Sequence, residues 1–407
     1  MKKVYIIGAG ISGLITAIEL EKKGFSPIVI EASDRVGGRL KTDMFEGYPL
    51  DHGFQVLLEA YPMAKKYLDL KALKLQKLVP GALIYTETNK MLIGDPLRDF
   101  SLFFPTLFAR AGSLSDKLKI FKLNLELKNK SIDDIFSSEN TTTKAYLESK
   151  GFSGRIIETF FKPFFTGIFL ETELETPSIM FQFIYKMFGE GLAVIPEEGI
   201  QAIPNQLKAQ LKQTTFKFNS KVNSIENGLI TLENGKTLEA DYCVLATNTN
   251  LLTDQKQTIK WKFCHNLYFE IEHNPIKKPV IGLVASKEAL INNIYVLNSD
   301  KKQKQDIKQI ISVTVVKNHN LSELDLIEVV KKELKTICGI TVKRFIKHYH
   351  IKKALPDLKT VKHTSDCTHF KETDTVFTIG DATLNGSLNA AMRSGQLVAN
   401  CIYEAAK

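Results

Sequence analysis

The chain has 407 residues, which at roughly 150 residues per domain allows two or three domains and a substantial buried core. Its 54 Lys+Arg against 45 Asp+Glu give a net charge of +9, and 44% apolar with 24% charged residues is ordinary globular composition, which excludes disorder and fibrous folds. No window reaches the roughly 18 uncharged apolar residues of a membrane-spanning helix.

In chain order, Lys2 and Lys3 followed by apolar residues to Ile18 imitate a secretory signal, but glycines at fixed spacing interrupt the run and Glu19 to Lys23 continue an amphipathic helix. Val4 to Ile7 (VYII) predicts a parallel strand buried on both faces. It runs into Gly8, Gly10 and Gly13 of GAGISG, then a helical pattern over Leu14 to Lys23 that stops at Gly24. In a dinucleotide-binding turn Gly8 makes the tight bend, Gly10 lets the backbone approach a pyrophosphate, and Gly13 lets helix and strand pack closely. The helix N-terminus, with Ile11 and Ser12 in its first turn, then presents N–H groups and a partial positive charge to the phosphates. A second strand, Pro27 to Ile30, ends in Glu31, 23 residues after Gly8, where an acid beside Ala32 accepts hydrogen bonds from an adenosine ribose. A carboxylate there repels a 2′-phosphate, so FAD or NAD is expected rather than NADP.

Asp34 to Thr42 reads DRVGGRLKT, and Asp51 to Val56 reads DHGFQV. The pattern R-x-G-G-R-x-x-T followed by D-x-G resembles the flavin-containing amine oxidase superfamily, with its protoporphyrinogen oxidase and phytoene desaturase branches. The resemblance covers nearly the full length, through GFQVLLEAYP, GFSGRIIETFFKPFFTGIFLETELETPS, MFGEGLAVIPEEGIQAIPNQL, the ALP of Ala354 to Pro356 and GDATLNGSLNAAMRSG. It looks closest to phytoene-desaturase-like oxidoreductases and implies FAD as cofactor. Gly37 and Gly38 permit a second close backbone approach, and Arg39 is a fixed cation suited to the FAD pyrophosphate. The resemblance also implies that Gly53 and Phe54 run beside the isoalloxazine, that the backbone at Val222 holds adenine, and that Ala246-Thr247 sit beside the nucleotide. It places Gly380 and Asp381 at the ribityl chain and points the next helix N-terminus, with Leu388 and Asn389, at the flavin N1/O2 edge, where its dipole stabilises reduced flavin. No Cys or His stands at that helix start, so non-covalent FAD is expected.

These segments occupy the start, middle and end of the chain. The expected fold is therefore α/β, with a Rossmann-type FAD-binding domain (1–58, 193–260 and 363–407) interleaved with a mixed α+β substrate domain (59–192 and 261–362). Further predicted elements are a helix over Ser115 to Lys128, a hairpin around Glu233, Asn234 and Gly235 within the stretch opened by Phe216 to Glu226, and strands over Tyr242 to Ala246, Val280 to Ala285, Ile310 to Val316 and Val342 to His350. A helix over Ser322 to Thr336, a strand over Thr375 to Ile379 and a helix from Leu388 to Ala406 complete the reading.

Phe152 to Phe188 holds nine of the 25 phenylalanines, far above the chain average. It reads as ordinary helical core, as a pocket for a large apolar substrate (Phe160, Phe164, Phe165, Phe181, Phe188), or as a patch dipping into a membrane interface. Lys256 to Lys362 carries 21 basic and 10 acidic residues, leaving 33 and 35 elsewhere, so the positive excess belongs to this stretch. It reads as a solvated face or as attraction toward an anionic membrane. His348 and His350 share a strand face, read as exposed rather than metal-binding, and Gly189-Glu190-Gly191 lacks the preceding strand of a second dinucleotide unit. Five scattered cysteines (Cys243, Cys264, Cys338, Cys367, Cys401) without a C-x-x-C pair argue against disulfides or zinc and for a reducing compartment, so a cytoplasmic location with peripheral membrane contact is expected.

The expected activity is an FAD-dependent dehydrogenase or desaturase that takes a hydride from a large apolar substrate and passes electrons to oxygen or a quinone. A flavin amine oxidase, a redox-neutral flavin-dependent isomerase and a non-catalytic flavin-binding protein are the alternatives. No catalytic base is singled out, and neither metal nor nucleic acid is expected.

Overall fold

Val4–Ile7, buried along its whole length, pairs in parallel with Ile28–Ile30 on one side and Tyr242–Leu245 on the other. Thr215–Lys217 and Val376–Thr378 complete a five-stranded parallel sheet in the order 215–217, 28–30, 4–7, 242–245, 376–378. This computed structural model describes residues 2–226, 228–247, 259–276, 278–297 and 308–407. Residues 248–258, within the expected middle FAD segment, and 298–307, within the basic stretch, lie outside the described residues, as do 1, 227 and 277.

The unbroken apolar strands need cover on both faces, and they have it. Val4, Ile6 and Val29 pack with Leu14 and Ile18 of the helix Ile11–Lys22 and with Val398 and Ile402 of the C-terminal helix Leu388–Ala405. Tyr5, Ile7 and Ile30 pack instead on an antiparallel sheet of Val222–Glu226, Leu229–Leu232 and Thr237–Glu239. The run Phe216 to Glu226 therefore serves two sheets, broken by a corner at Asn219, whose φ of 50° is a left-handed conformation that asparagine tolerates.

A second, seven-stranded mixed sheet runs in the order 342–356, 261–271, 309–315, 291–296, 281–284, 81–85, 90–94. Its longest strand, Val342–Pro356, extends six residues beyond the predicted His350 and pairs along Trp261–Ile271. The helix Glu323–Thr336 covers one face through Leu326, Val330 and Leu334. The helices Lys162–Phe169 and Ser178–Glu190 lie on the side of this sheet that faces the parallel one, with Asn292 Nδ2 donating to Pro163 O at 3.2 Å. A small sheet of Leu57–Leu58, Ala193–Pro196 and Leu75–Lys77 ties the two layers together.

One expectation fails here: Cys367, in a short turn, and Cys401, on the C-terminal helix, are joined by a disulfide. They are 34 residues apart, and only the packing of helix on turn brings them together. Among the described residues no helix is long and apolar enough to cross a membrane.

Candidate functional site

The C-terminal ends of the parallel strands open onto a cavity of about 570 Å³ that continues between the seven-stranded sheet and the two Phe-rich helices. Gly10, Ile11, Ser12, Gly38 and Arg39 line one end, Gly380, Asp381 and Leu388 lie beside them, and Gly53 and Phe54 lead to the other. The glycine turn is shaped by packing. A Cβ on Gly13 would sit 2.1 Å from Gly8 O, so only glycine lets this helix and strand touch. A Cβ on Gly10 would meet nothing within 4 Å, so this backbone borders open space. Gly10 caps the helix Ile11–Lys22 without a side-chain bond, leaving that N-terminus to the cavity. Gly37 N donates to Ala9 O at 2.9 Å, which presses the second glycine pair against the first.

Arg39 Nη1 donates to Asp381 Oδ2 at 2.9 Å and to Ala354 O at 3.2 Å, and Nη2 donates to Asp381 Oδ1. Burial alone would lower the guanidinium pKa, but the charge and hydrogen bonds of Asp381 raise it. The Trp261 ring lies 5.2 Å from the guanidinium. Asp381 is the only carboxylate in the lining among the described residues, whereas Lys262 and Lys353 stand there as cations beside Arg39. Burial lowers the Lys262 pKa, and the charge of Asp357 opposes it.

The D-x-G turn is anchored from beneath. Asp51 Oδ1 accepts from Thr42 Oγ1 at 2.6 Å and from Ile200 N at 2.9 Å, and burial pushes its carboxyl up to about 6 against those bonds. Next to it, His52 lines the cavity, stacked on Tyr349 at 4.2 Å.

A family model described as "Flavin containing amine oxidoreductase" matches residues 11–403. The chain belongs to that family. Membership of that family supports a flavin-dependent oxidoreductase. Among curated relatives it is 41% identical over 68 residues to protoporphyrinogen oxidase 2, chloroplastic/mitochondrial, of Arabidopsis thaliana, covering 17% of this chain and 13% of that protein. It is 29% identical over 160 residues to an L-amino-acid oxidase of Daboia russelii, covering 37% and 32%. The chain thus spans a third or less of the length of these relatives. Among solved structures, the CLA-producing fatty acid isomerase from P. acnes superimposes with a TM-score of 0.74 at 17% identity, covering 98% of both chains. The α/β architecture of the family, with a Rossmann-type sheet interleaved with a mixed second layer, is the one found here.

The cavity lining sorts the expected site residues by position. Gly8 and Gly13 stand behind the turn as its packing, while Gly10, Ile11, Ser12, Gly38, Arg39, Gly53, Phe54, Gly380, Asp381 and Leu388 share one cavity. Glu31, Ala32 and Val222 lie outside it. The Glu31 carboxylate accepts from Ala9 N at 2.7 Å and from Ser33 N and Oγ at 2.8 and 2.7 Å, three of about four available sites. Asn389 is turned away from the cavity: it is buried and its Oδ1 accepts from Met63 N at 3.0 Å, anchoring the helix that starts at Pro62. Phe164 and Phe188 line the cavity, but Phe160, Phe165 and Phe181 do not. Phe165 and Phe181 are fully buried with ring centroids 4.7 Å apart, and Phe160 stacks on the back of Phe164 at 5.6 Å, so the cluster is core, with Phe164, Phe188 and also Phe169 in the cavity wall. The membrane-patch reading of Phe152 to Phe188 falls for the same reason.

The cavity suits a ligand with both polar and apolar parts. Trp261 Nε1 and Thr378 Oγ1 are buried without a hydrogen-bond partner, and both residues line it. Tyr61, Lys262, Lys353 and Ala354 are lining residues that carried no role in the sequence, although the ALP of Ala354 to Pro356 was visible as a signal. His348 and His350 share their strand face with His265, whose ring stacks on theirs, which leaves His348 nearly covered rather than exposed. No described group of three His, Cys, Asp or Glu is arranged to hold a metal.

Proposed function

We propose that this protein binds FAD non-covalently along the glycine turn and removes a hydride from a large apolar substrate held between the seven-stranded sheet and the helices 162–169 and 178–190. FAD, when bound, accepts the hydride. The chain's own groups position and exclude. Gly10 and the free helix N-terminus offer the pyrophosphate N–H donors, Arg39 offers a fixed cation, and Asp381 accepts from a hydroxyl at the ribityl end. Phe164, Met180, Ile184, Phe188 and Leu283 shape a dry wall around the reacting carbon. Cys264 also lines the cavity, but burial pushes its thiol up to about 12, which supports dissociable rather than thiol-linked flavin.

The domain division that fits this reading is 1–58, 193–260 and 363–407 for FAD, and 59–192 and 261–362 for substrate. Its support is that every strand of the parallel sheet comes from the first set and every strand of the seven-stranded sheet from the second. Oxygen or a quinone is the proposed electron acceptor, since a second dinucleotide unit is not among the described sheets.

The observation that carries the substrate reading is the cavity charge. Its one carboxylate among the described residues is already paired with Arg39, while Lys353 lines the same cavity together with Lys262, which is paired with Asp357 at 3.6 Å, so a cationic amine meets no free carboxylate among the described lining residues. The test is anaerobic mixing with candidate substrates. Bleaching of the oxidised flavin band by a polyene or porphyrinogen, and not by amines or amino acids, is expected. Bleaching by an amine alone would overturn the reading, and turnover seen only after chemical reduction of the flavin would favour an isomerase.

A further inference from the structure

Of the 14 large apolar side chains exposed among the described residues, ten lie between Leu97 and Leu125, so the exposed apolar surface is one patch rather than scatter. The helix Phe103–Phe108 (FFPTLF) buries none of its residues. Phe100, Phe104 and Phe108 are 76%, 61% and 75% exposed, and their rings continue through Phe103 in a ladder with centroids 5.3 to 6.4 Å apart. On the next helix, Leu114–Asn129, the residues Leu114, Leu118, Phe121 and Leu125 repeat at spacings of four, three and four, and all are exposed. Leu123 and Leu127 of the same helix are buried against the core. This helix is apolar on two faces and only one of them is covered, which a soluble surface does not explain.

Charge identifies what covers the other face. Residues 97–130 carry seven basic and three acidic side chains, a net +4. The acids are engaged. Asp99 caps a short turn by accepting from Ser101 N at 2.9 Å, Asp116 is buried in a capping box with Ser113, and Glu126 binds Lys150 at 2.8 Å. Arg110, Lys122 and Lys128 stay exposed, and Lys278 joins the rim by donating to Ser101 Oγ at 3.1 Å. Lysine and other charges are depleted from protein–protein interface cores. Phe and Leu rimmed by Lys and Arg is instead the composition of a helix lying in the headgroup boundary of an anionic bilayer.

We infer that 97–125 is a docking face for an anionic lipid surface, with Phe100, Phe104 and Phe108 entering the acyl boundary and Arg110 and Lys122 meeting lipid phosphates. The face is fixed to the candidate site: Arg98 donates to Phe188 O and, at 2.7 Å, to Gly191 O, and Phe188 lines the cavity. A docked bilayer therefore lies next to the apolar cavity wall. The inference stands apart from the substrate reading, because vesicle binding is measured without turnover and either can fail alone.

The test is co-sedimentation of the full-length, FAD-reconstituted protein with phosphatidylglycerol-containing vesicles and with pure phosphatidylcholine vesicles, at low and high salt. Pelleting with the anionic vesicles at low salt is expected, weakened by about tenfold or more in the triple variant Phe100→Ser, Phe104→Ser, Phe108→Ser. The pair Arg110→Glu, Lys122→Glu should lose the preference for anionic vesicles and provides a second reading if the triple variant folds poorly. Absence of pelleting, or pelleting that neither set of substitutions nor salt changes, would overturn the inference. So would a concentration-dependent dimer in sedimentation equilibrium that the triple variant dissociates, because the face would then belong to a second copy of the chain.

Discussion

The phenylalanines of 100–121 and those of 152–188 are alike in sequence and opposite in fate. The second group is packed into the core between the layers, so Phe161, Phe165, Phe181 and Phe183 are fully buried and, of its nine rings, Phe164, Phe169 and Phe188 reach the cavity. The first group sits on the short helix Phe103–Phe108 at the edge strand Lys90–Gly94, on the turn before it and, at Phe121, on the helix Leu114–Asn129, with no layer outside it. Aromatic density alone does not distinguish a core from a docking face. What decides is whether a further layer exists to cover it, and that is a property of topology.

The contrast can be broken most forcefully in the core. Phe181→Ala should destabilise by about 3–5 kcal/mol through lost burial and a cavity, read as a lower urea midpoint; a loss below about 1 kcal/mol would contradict the assigned packing. Asp51→Asn carries the contrast between buried and exposed to a polar group. The folded pKa of Asp51 is about 6 against an ordinary 3.8, so its contribution to folding is fully present below about pH 4 and lost as pH rises through about 6. Asparagine does not titrate, so relative to wild type the variant should gain on the order of 2–3 kcal/mol between pH 4 and pH 7 in urea titrations, and a pH-independent difference would refute the assignment. Smaller still, Ser113→Ala removes the cap of the helix that carries four of the ten residues of the exposed face and should cost about 1 kcal/mol in thermal unfolding. Phe104→Ala should change stability by no more than about 0.5 kcal/mol while weakening vesicle binding, and a large loss of stability would mean that this ring is packed.

The glycine turn was legible because its requirements are local: strand, three glycines, helix and acid follow one another, and each is needed within a few residues of the next. The order of FAD-type segments likewise suggested that distant pieces share a layer, as the strands 4–7, 242–245 and 376–378 do. What escaped detection depends on distant partners. Asn389 looked like part of a flavin-facing helix start, but the amide that it meets belongs to Met63, 326 residues away. Cys367 and Cys401 have no diagnostic spacing, and their pairing follows from where the last helix docks. Lys262 and Lys353 were two among 54 cations until two adjacent strands turned them toward one cavity.

The claim on which the account rests is that the backbone at Gly10 receives the FAD pyrophosphate. A Cβ there meets no protein atom within 4 Å, so Gly10→Glu leaves the packing intact and places an anion where the phosphates would lie. The decisive measurement is the visible absorption spectrum of protein reconstituted with FAD and freed of excess cofactor. A bound flavin spectrum is expected for the wild type and none for a folded Gly10→Glu variant. Equal flavin retention by the two would contradict it.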